Sequence, residues 1–229
     1  MMAGLDAQDW LSVWLTVKLA TLSTIILLLL GTPLAWWLAR GDTIPRSIIG
    51  SIVALPLVLP PTVLGFYLLV TLGPNGAAGS FWEGIGGPRL VFSFPGLVIG
   101  SVIYSLPFVV QPIQNAFEAI GQRPMDVAAT LRAGPIDRFF TVAIPLARPG
   151  FITAATLGFA HTVGEFGMVM MIGGNIPGRT RVISIAIYDS VESLDYVHAH
   201  YLSAGMLAFS FIALSIVQFV NKKSARARV

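Results

Sequence analysis

An all-α membrane protein with about five transmembrane helices is the fold class that this sequence predicts, and three observations predict it. First, hydrophobic residues make up 55% of the chain and charged residues only 11%, with a mean hydropathy of +0.79. A soluble domain carries about 25% charged residues, so this apolar surplus needs lipid as a solvent. Second, the apolar residues gather into runs of roughly 20 residues, the length that crosses a hydrocarbon core. Third, the basic residues sit at the ends of those runs and are unevenly shared between the two sides. Arg40, Arg46, Arg123, Arg132, Arg138, Arg148, Lys222, Lys223, Arg226 and Arg228 fall on one side, whereas Lys18, Arg89, Arg179 and Arg181 fall on or near the other. The positive-inside rule then places the amino terminus outside and the carboxyl terminus in the cytoplasm. The net charge of +3 reflects this topology, not a nucleic-acid surface. Cysteine is absent, which excludes disulfides, thiol catalysis and cysteine metal sites.

Each element follows from the order of these runs. The start, residues 1–9, is acidic through Asp6 and Asp9 and lacks the basic region with which a signal peptide opens. The first span is expected at 15–38, interrupted by Gly31 and Pro33, with Lys18 snorkelling at one end and Trp36 and Trp37 marking the other interface. The second span is expected at 48–72 and contains Pro56, Pro60 and Pro61; a Gly/Pro-rich loop, 73–88, follows it. The third span, 90–110, is expected to break at Pro95 and Pro107. A polar loop over 115–148 leads to a fourth span at 151–172. A second polar section, 173–201, includes a short re-entrant or interfacial helix at 181–188, too short to cross the bilayer. The fifth span is expected at 202–220, followed by a basic tail. All of it reads as one membrane domain without an internal repeat.

The polar island at 124–150, PMDVAATLRAGPIDRFFTVAIPLARPG, is longer and more patterned than a connection requires. Pro124 suits the first turn of a helix, where its missing N–H costs nothing. Asp126 puts negative charge at the positive end of the helix dipole. Val127, Ala128, Ala129 and Leu131 continue the helix, and Gly134–Pro135 is a stop signal. A second amphipathic piece at 136–142 presents Phe139 and Phe140, and Ile144–Pro145 closes it. Two readings stand for this island: a docking element for another protein, or an amphipathic loop on the membrane surface.

Two further places bear on function. Pro60 and Pro61 free backbone carbonyls that must find partners inside a membrane, so they mark either a static kink or a moving gate. Glu165 lies within the fourth apolar run, where an ionised carboxylate costs about 2.5–3.5 kcal/mol at mid-bilayer. Gly164 and Gly167 flank it and allow another helix to come close. His161 is one helical turn earlier on the same face, so a hydrogen-bonded His161–Glu165 pair is expected, acting either structurally or in a pathway. A metal reading is poor, because no third ligand is apparent and zinc requires at least three.

The island resembles the cytoplasmic signature of binding-protein-dependent ABC importer permeases, E-A-A-x-x-x-G followed by I-x-L-P. Asp126, Val127 and Ala128 stand on E-A-A, Arg132 stands at the usual glycine, and Ile144 and Pro145 fall near the end of the pattern. Gly134 is expected to take over the bend that Arg132 leaves without its glycine. The run 163–188 is similar to the G-E-F-G…G-N-I-P-G-x-T…A-I-Y stretch of molybdate-type permeases. Gly164, Glu165, Phe166, Gly167, Gly174, Asn175, Ile176, Pro177, Gly178, Thr180, Ala186, Ile187 and Tyr188 match it, while His161 stands where relatives often have arginine. Residues 55–70 resemble the same family's second span.

The resemblance implies a type I ABC importer permease whose coupling helix, Asp126–Gly134, sits in a groove of a separate ATPase dimer. It implies a channel between two copies of the chain, and an outer oxyanion-binding protein that holds affinity and selectivity. Sulfate/thiosulfate and tungstate permeases share much of the pattern, so these anions stand beside molybdate. No G-x-x-x-x-G-K-[ST] phosphate loop occurs in the chain, so no cofactor is expected here, and ATP and magnesium are expected on the partner ATPase. Arg179 and Arg181, beside Asn175, Pro177 and Gly178, are expected outside, either receiving the binding protein and steering the anion or simply solvated. The place implied is the inner membrane of a bacterium, with lipid as the remaining partner and nucleic acid excluded. Two readings of other classes stand alongside: an intramembrane enzyme using Glu165 and His161 as acid and base, and an ion-gradient-driven transporter with Glu165 as the proton site.

Overall fold

The structure, a computed structural model, describes residues 6–41 and 43–226, and its regular elements are helical, with no strand among the described residues. Helix α1 (Ala7–Leu38) begins well before residue 15 because its start is chemically fixed. The Asp6 carboxylate accepts from the Asp9 N–H and the Asp9 carboxylate accepts from the Asp6 N–H, both at 2.8 Å, which satisfies two orphan donors reciprocally. That hydrogen bond from the Asp9 backbone, the largest influence, holds the Asp6 carboxyl below its ordinary range. Gly31 and Pro33 do not interrupt α1. Proline deletes only one helical hydrogen bond, and the buried side of α1 continues through the site at Leu27, Gly31, Ala35 and Leu38.

The second apolar run is two helices, α2 (Ile44–Val58) and α3 (Pro61–Leu72). The chain axis turns by 112° between Ile44–Val58 and Pro61–Gly84. The turn lies at Leu59 and Pro60, both in extended backbone, with Pro61 opening the new helix. The expected 73–88 loop contains a short helix of its own, α4 (Ala77–Gly84).

Helix α5 (Phe94–Ile120) runs unbroken past Pro107 and Pro112, contrary to the expected break, and extends into the region assigned to the polar loop. Pro95 falls in its first turn, where Ser93 caps the Gly96 N–H at 3.3 Å. Four short pieces follow: α6 (Arg123–Thr130), α7 (Pro135–Arg138), a π turn at Phe139–Ala143, and α8 (Ile144–Leu146). Ile144–Pro145 therefore continues the chain helically, and the bend of 70° comes where Pro135–Leu146 meets α9 (Arg148–Gly164).

The fourth run is also broken, since α9 ends at Gly164 and α10 (Gly167–Gly173) restarts after an extended Glu165. Helix α11 (Ile183–Glu192) replaces the expected 181–188 piece, and α12 (Tyr196–Arg226) carries the last apolar run and much of the basic tail. By length and composition α1, α5 and the Tyr196–Ser215 part of α12 can each cross a membrane; counting each of the two bent pairs as one span raises the number to five.

Helices α1 and α5 pack along each other and join two core clusters. One gathers Leu27, Val109, Val110, Ile113 and Phe117 with Met125 and Ala143 from the polar island. The other gathers Leu19, Leu97, Met168, Val169, Ile172 and Ile185. The first anchors the island to the bundle, and the second holds the broken run beyond Glu165.

Candidate functional site

The two chain breaks meet. A Cβ built on Gly167 would lie 2.9 Å from the Cβ of Pro61, and one on Gly65 would lie 2.8 Å from the Cβ of Met171. Only glycine permits that approach, so the first turns of α3 and α10 pack backbone against side chain. Gly164 behaves otherwise: it is exposed, with nothing within 4 Å of a built Cβ, so among the described residues no element uses the access it offers. Pro60 is likewise exposed, at the corner of the α2–α3 turn.

Glu165 does not pair with His161. Its backbone is extended, at φ −72° and ψ 130°, which ends α9 and carries the side chain away from the helical face it would otherwise share with His161. The carboxylate, 7% exposed, accepts from the Met168 N–H at 2.8 Å. It thereby caps the start of α10, where unpaired N–H groups and the helix dipole both favour negative charge. The Glu165 carbonyl accepts from the Ser184 hydroxyl at 2.6 Å, which ties the break to α11. Phe166 packs on Tyr188 with ring centroids 4.9 Å apart.

His161 turns instead to α5. Its Nδ1 is 2.9 Å from the Ser105 hydroxyl, which is 3.0 Å from the Thr162 hydroxyl. Its ring stacks on Phe108 at 3.8 Å between centroids. This is a packed hydrogen-bonded joint between α5 and α9. Without a shared proton path between His161 and Glu165, the acid–base enzyme reading loses its pair.

In the loop that carries Asn175–Arg181, Thr180 is fully buried and its hydroxyl donates to the Gly173 carbonyl at 2.7 Å. The Ile176 carbonyl accepts from the N–H groups of Arg179, Thr180 and Arg181, closing a tight turn through Gly178 at φ +73°. Asn175 donates to Asp189 at 2.8 Å, and Arg181 is ion-paired with the same carboxylate. Arg179 and Pro177 remain exposed. Of the two loop arginines, then, one is committed to the fold and one is presented.

In the polar island, Met125 is buried and fastens α6 to the bundle, while Asp126, Val127, Ala129, Leu131 and Arg132 are exposed and Ala128 is half-buried. Leu131 is 78% and Ile136 76% exposed, with Val127 and Phe140 also uncovered, so the element presents an apolar surface outward. Phe139 faces inward, against Trp36 at 5.1 Å and Phe117 at 6.1 Å. Helix α6 ends in a Schellman arrangement: the Ala133 N–H reaches the Ala128 carbonyl and the Arg132 N–H reaches the Ala129 carbonyl. Arg132 itself occupies the left-handed position, at φ +62°. Gly134 is extended, at φ −69°, and does not take over the bend.

Sequence reasoning missed Ser105, Ser184 and Asp189, the partners that position His161, Glu165 and Arg181. It also missed a part-buried link between the starts of α1 and α12, Asp9 Oδ1 to His198 Nε2 at 2.9 Å. The Ser105 and Asp9 contacts join residues far apart in sequence, and Ser184 and Asp189 meet their partners across helix boundaries that no regular spacing announces.

The chain is 62% identical over 210 residues, 92% of its length and 93% of the relative's, to the "Molybdenum transport system permease protein ModB" of Azotobacter vinelandii. It is 36% identical over 192 residues, 82% of each chain, to the protein of the same name from Escherichia coli (strain K12). A "Probable sulfate transport system permease protein cysT" of Anthoceros angustus is 32% identical, over 90% of this chain and 71% of that one. Among solved structures, a bacterial ABC transporter involved in the import of the acidic polysaccharide alginate superposes with a TM-score of 0.74 at 19% identity, covering 97% of this chain and 80% of that one. The MetNI methionine ABC transporter in an inward facing conformation gives 0.65 at 18% identity, over 95% and 99%. Both share the fold. Residues 31–226 match the binding-protein-dependent transport system inner membrane component, and the chain belongs to that family.

Proposed function

We propose that this chain is the membrane permease subunit of an ATP-driven importer for molybdate. The observation that carries the reading is 62% identity across nearly the whole chain to a molybdenum permease. The exposed apolar face of α6 and α7 supports docking of a separate ATPase there, with ATP and magnesium bound by that partner. The bias of basic residues supports a bacterial inner-membrane protein with its amino terminus outside and this docking face in the cytoplasm. A C2 homodimer completes the reading, because Gly164, Pro60 and the corner at Val58 lie uncovered and a pathway needs a second wall. Closure of the ATPases would push Asp126–Gly134 and, through Met125 and Phe139, tilt the bundle so that access alternates. Arg179 is the loop cation presented to an incoming oxyanion or its binding protein.

Expression with its ATPase and binding protein in a bacterium lacking its own molybdate permease tests this. Radiolabelled molybdate should accumulate, and excess tungstate should compete better than sulfate. Sulfate uptake without molybdate uptake would reassign the anion. Ala128→Arg should abolish uptake by uncoupling the ATPase; unimpaired uptake would remove α6 from the coupling role.

A further inference from the structure

A cavity of about 330 Å³ lies where the polar island meets the bundle. Its walls come from the end of α1, the first turn of α2, the end of α5, α6 and α7, and three of its lining residues are Arg40, Arg46 and Arg138. Among the described residues its one acidic lining residue is Glu118, whose carboxylate already accepts from Gln114 at 2.8 Å. Among the described residues, no carboxylate lies within ion-pair distance of any of the three guanidiniums.

Uncharged groups hold these arginines in place. Arg40 lies over the Trp36 ring at 4.5 Å and Arg46 over the Trp37 ring at 5.4 Å. Arg46 Nη1 donates to the carbonyls of Arg40 and Gly41 at 3.1 and 3.3 Å, and Arg138 Nη1 to the Met125 carbonyl at 3.4 Å. The Nε–H groups of both Arg46 and Arg138 are buried without an acceptor. Charged donors withdrawn from water and left unpaired are costly. Guanidiniums set in advance around one space match the oxygens of a tetrahedral anion, which they bind through paired N–H bonds.

We infer that this cavity is a second anion site, outside the translocation pathway, that takes a tetrahedral oxyanion or phosphate group. Its cytoplasmic placement rests on the orientation proposed above. The occupant bridges α7 and α6 to the end of α1 and the start of α2, so it fixes the position of the docking element against the bundle. The phosphate of an anionic lipid and a free oxyanion present the same chemistry to these residues. A lipid would make the site a membrane anchor for the coupling element; a free anion would make it a point of feedback by imported product.

The test uses the permease assembled with its ATPase in nanodiscs, and it reads binding without transport, so it stands whatever anion the chain imports. In phosphatidylcholine discs, sodium molybdate and inorganic phosphate are titrated by calorimetry at constant ionic strength. In discs containing phosphatidylglycerol, lipid retained per protomer is counted by native mass spectrometry. A free-anion site gives saturable binding that the Arg46→Gln, Arg138→Gln pair weakens at least tenfold. A lipid site gives retained phosphatidylglycerol that the same pair releases. Arg138→Lys keeps the charge and the assembly but loses the fork, and should weaken whichever ligand binds several-fold. No ligand in either disc, or binding indifferent to all these substitutions, overturns the inference.

Discussion

The two chain breaks that pack against each other are made differently. At Leu59–Pro60 the turn is covalent: two successive prolines lack N–H groups, bias the preceding backbone to extended, and start a new helix. At Glu165–Phe166 nothing covalent forbids a helix. That break persists because the Glu165 carboxylate caps α10, Ser184 holds the Glu165 carbonyl, and Gly167 lets Pro61 approach. One break is written into the residues at the break, and the other depends on residues elsewhere. The second is therefore the more easily undone, and the better candidate for movement during transport.

The largest expected effect comes from forcing the two breaks apart. Gly167→Leu places a side chain where Pro61 already sits, and overpacking of this kind costs about 1–3 kcal/mol. Thermal unfolding of the purified permease should show the loss and molybdate uptake should fall; an unchanged midpoint would mean that the contact is not tight. Next is the side-chain-dependent break itself. Glu165→Ala removes the cap on the Met168 N–H and should cost about 1–2 kcal/mol, whereas Glu165→Gln keeps an oxygen acceptor and most of that stability. If Gln proves as damaging as Ala, the carboxylate's charge matters beyond capping.

Arg132 extends the same contrast to the end of α6. Its left-handed backbone costs a residue bearing a Cβ about 1–2 kcal/mol, so Arg132→Gly should stabilise the chain by about that amount and Arg132→Val should destabilise it. The reverse order in a melting series would show that the arginine side chain compensates its own backbone. The smallest effect on stability, under about 1 kcal/mol, is expected for Pro60→Ala with Pro61→Ala. Its signature is geometric, since two restored N–H groups find acceptors only if α2 and α3 straighten. Spin labels at Ile52 and Tyr67 should then move apart, and an unchanged distance would show that packing against α10 holds the turn without proline.

Legibility followed the same division. The apolar runs, the proline turn, Pro124 opening α6 and the family signature were readable because each is carried by neighbouring residues. The His161–Glu165 pair was misplaced because a spacing of one helical turn implies contact only on a continuous helix, and the helix ends at Gly164. Proline weighed too heavily in α1 and α5, where Pro33 and Pro107 are spanned by helices packed against each other. Gly134 drew the bend away from Arg132 because glycine is the usual left-handed residue, whereas the hydrogen bonds from Arg132 and Ala133 fix the turn at Arg132.

Sequence by itself determined that this chain lives in lipid, where its spans lie roughly, which loop is patterned for a partner and which permeases it resembles. Composition and short-range spacing suffice for all of these. Tertiary structure decided where Glu165 and His161 find their partners, that two interrupted helices share one joint, and that three arginines surround one cavity. Burial leaves a polar group to bond with whatever the fold brings near, and separation along the chain says little about that.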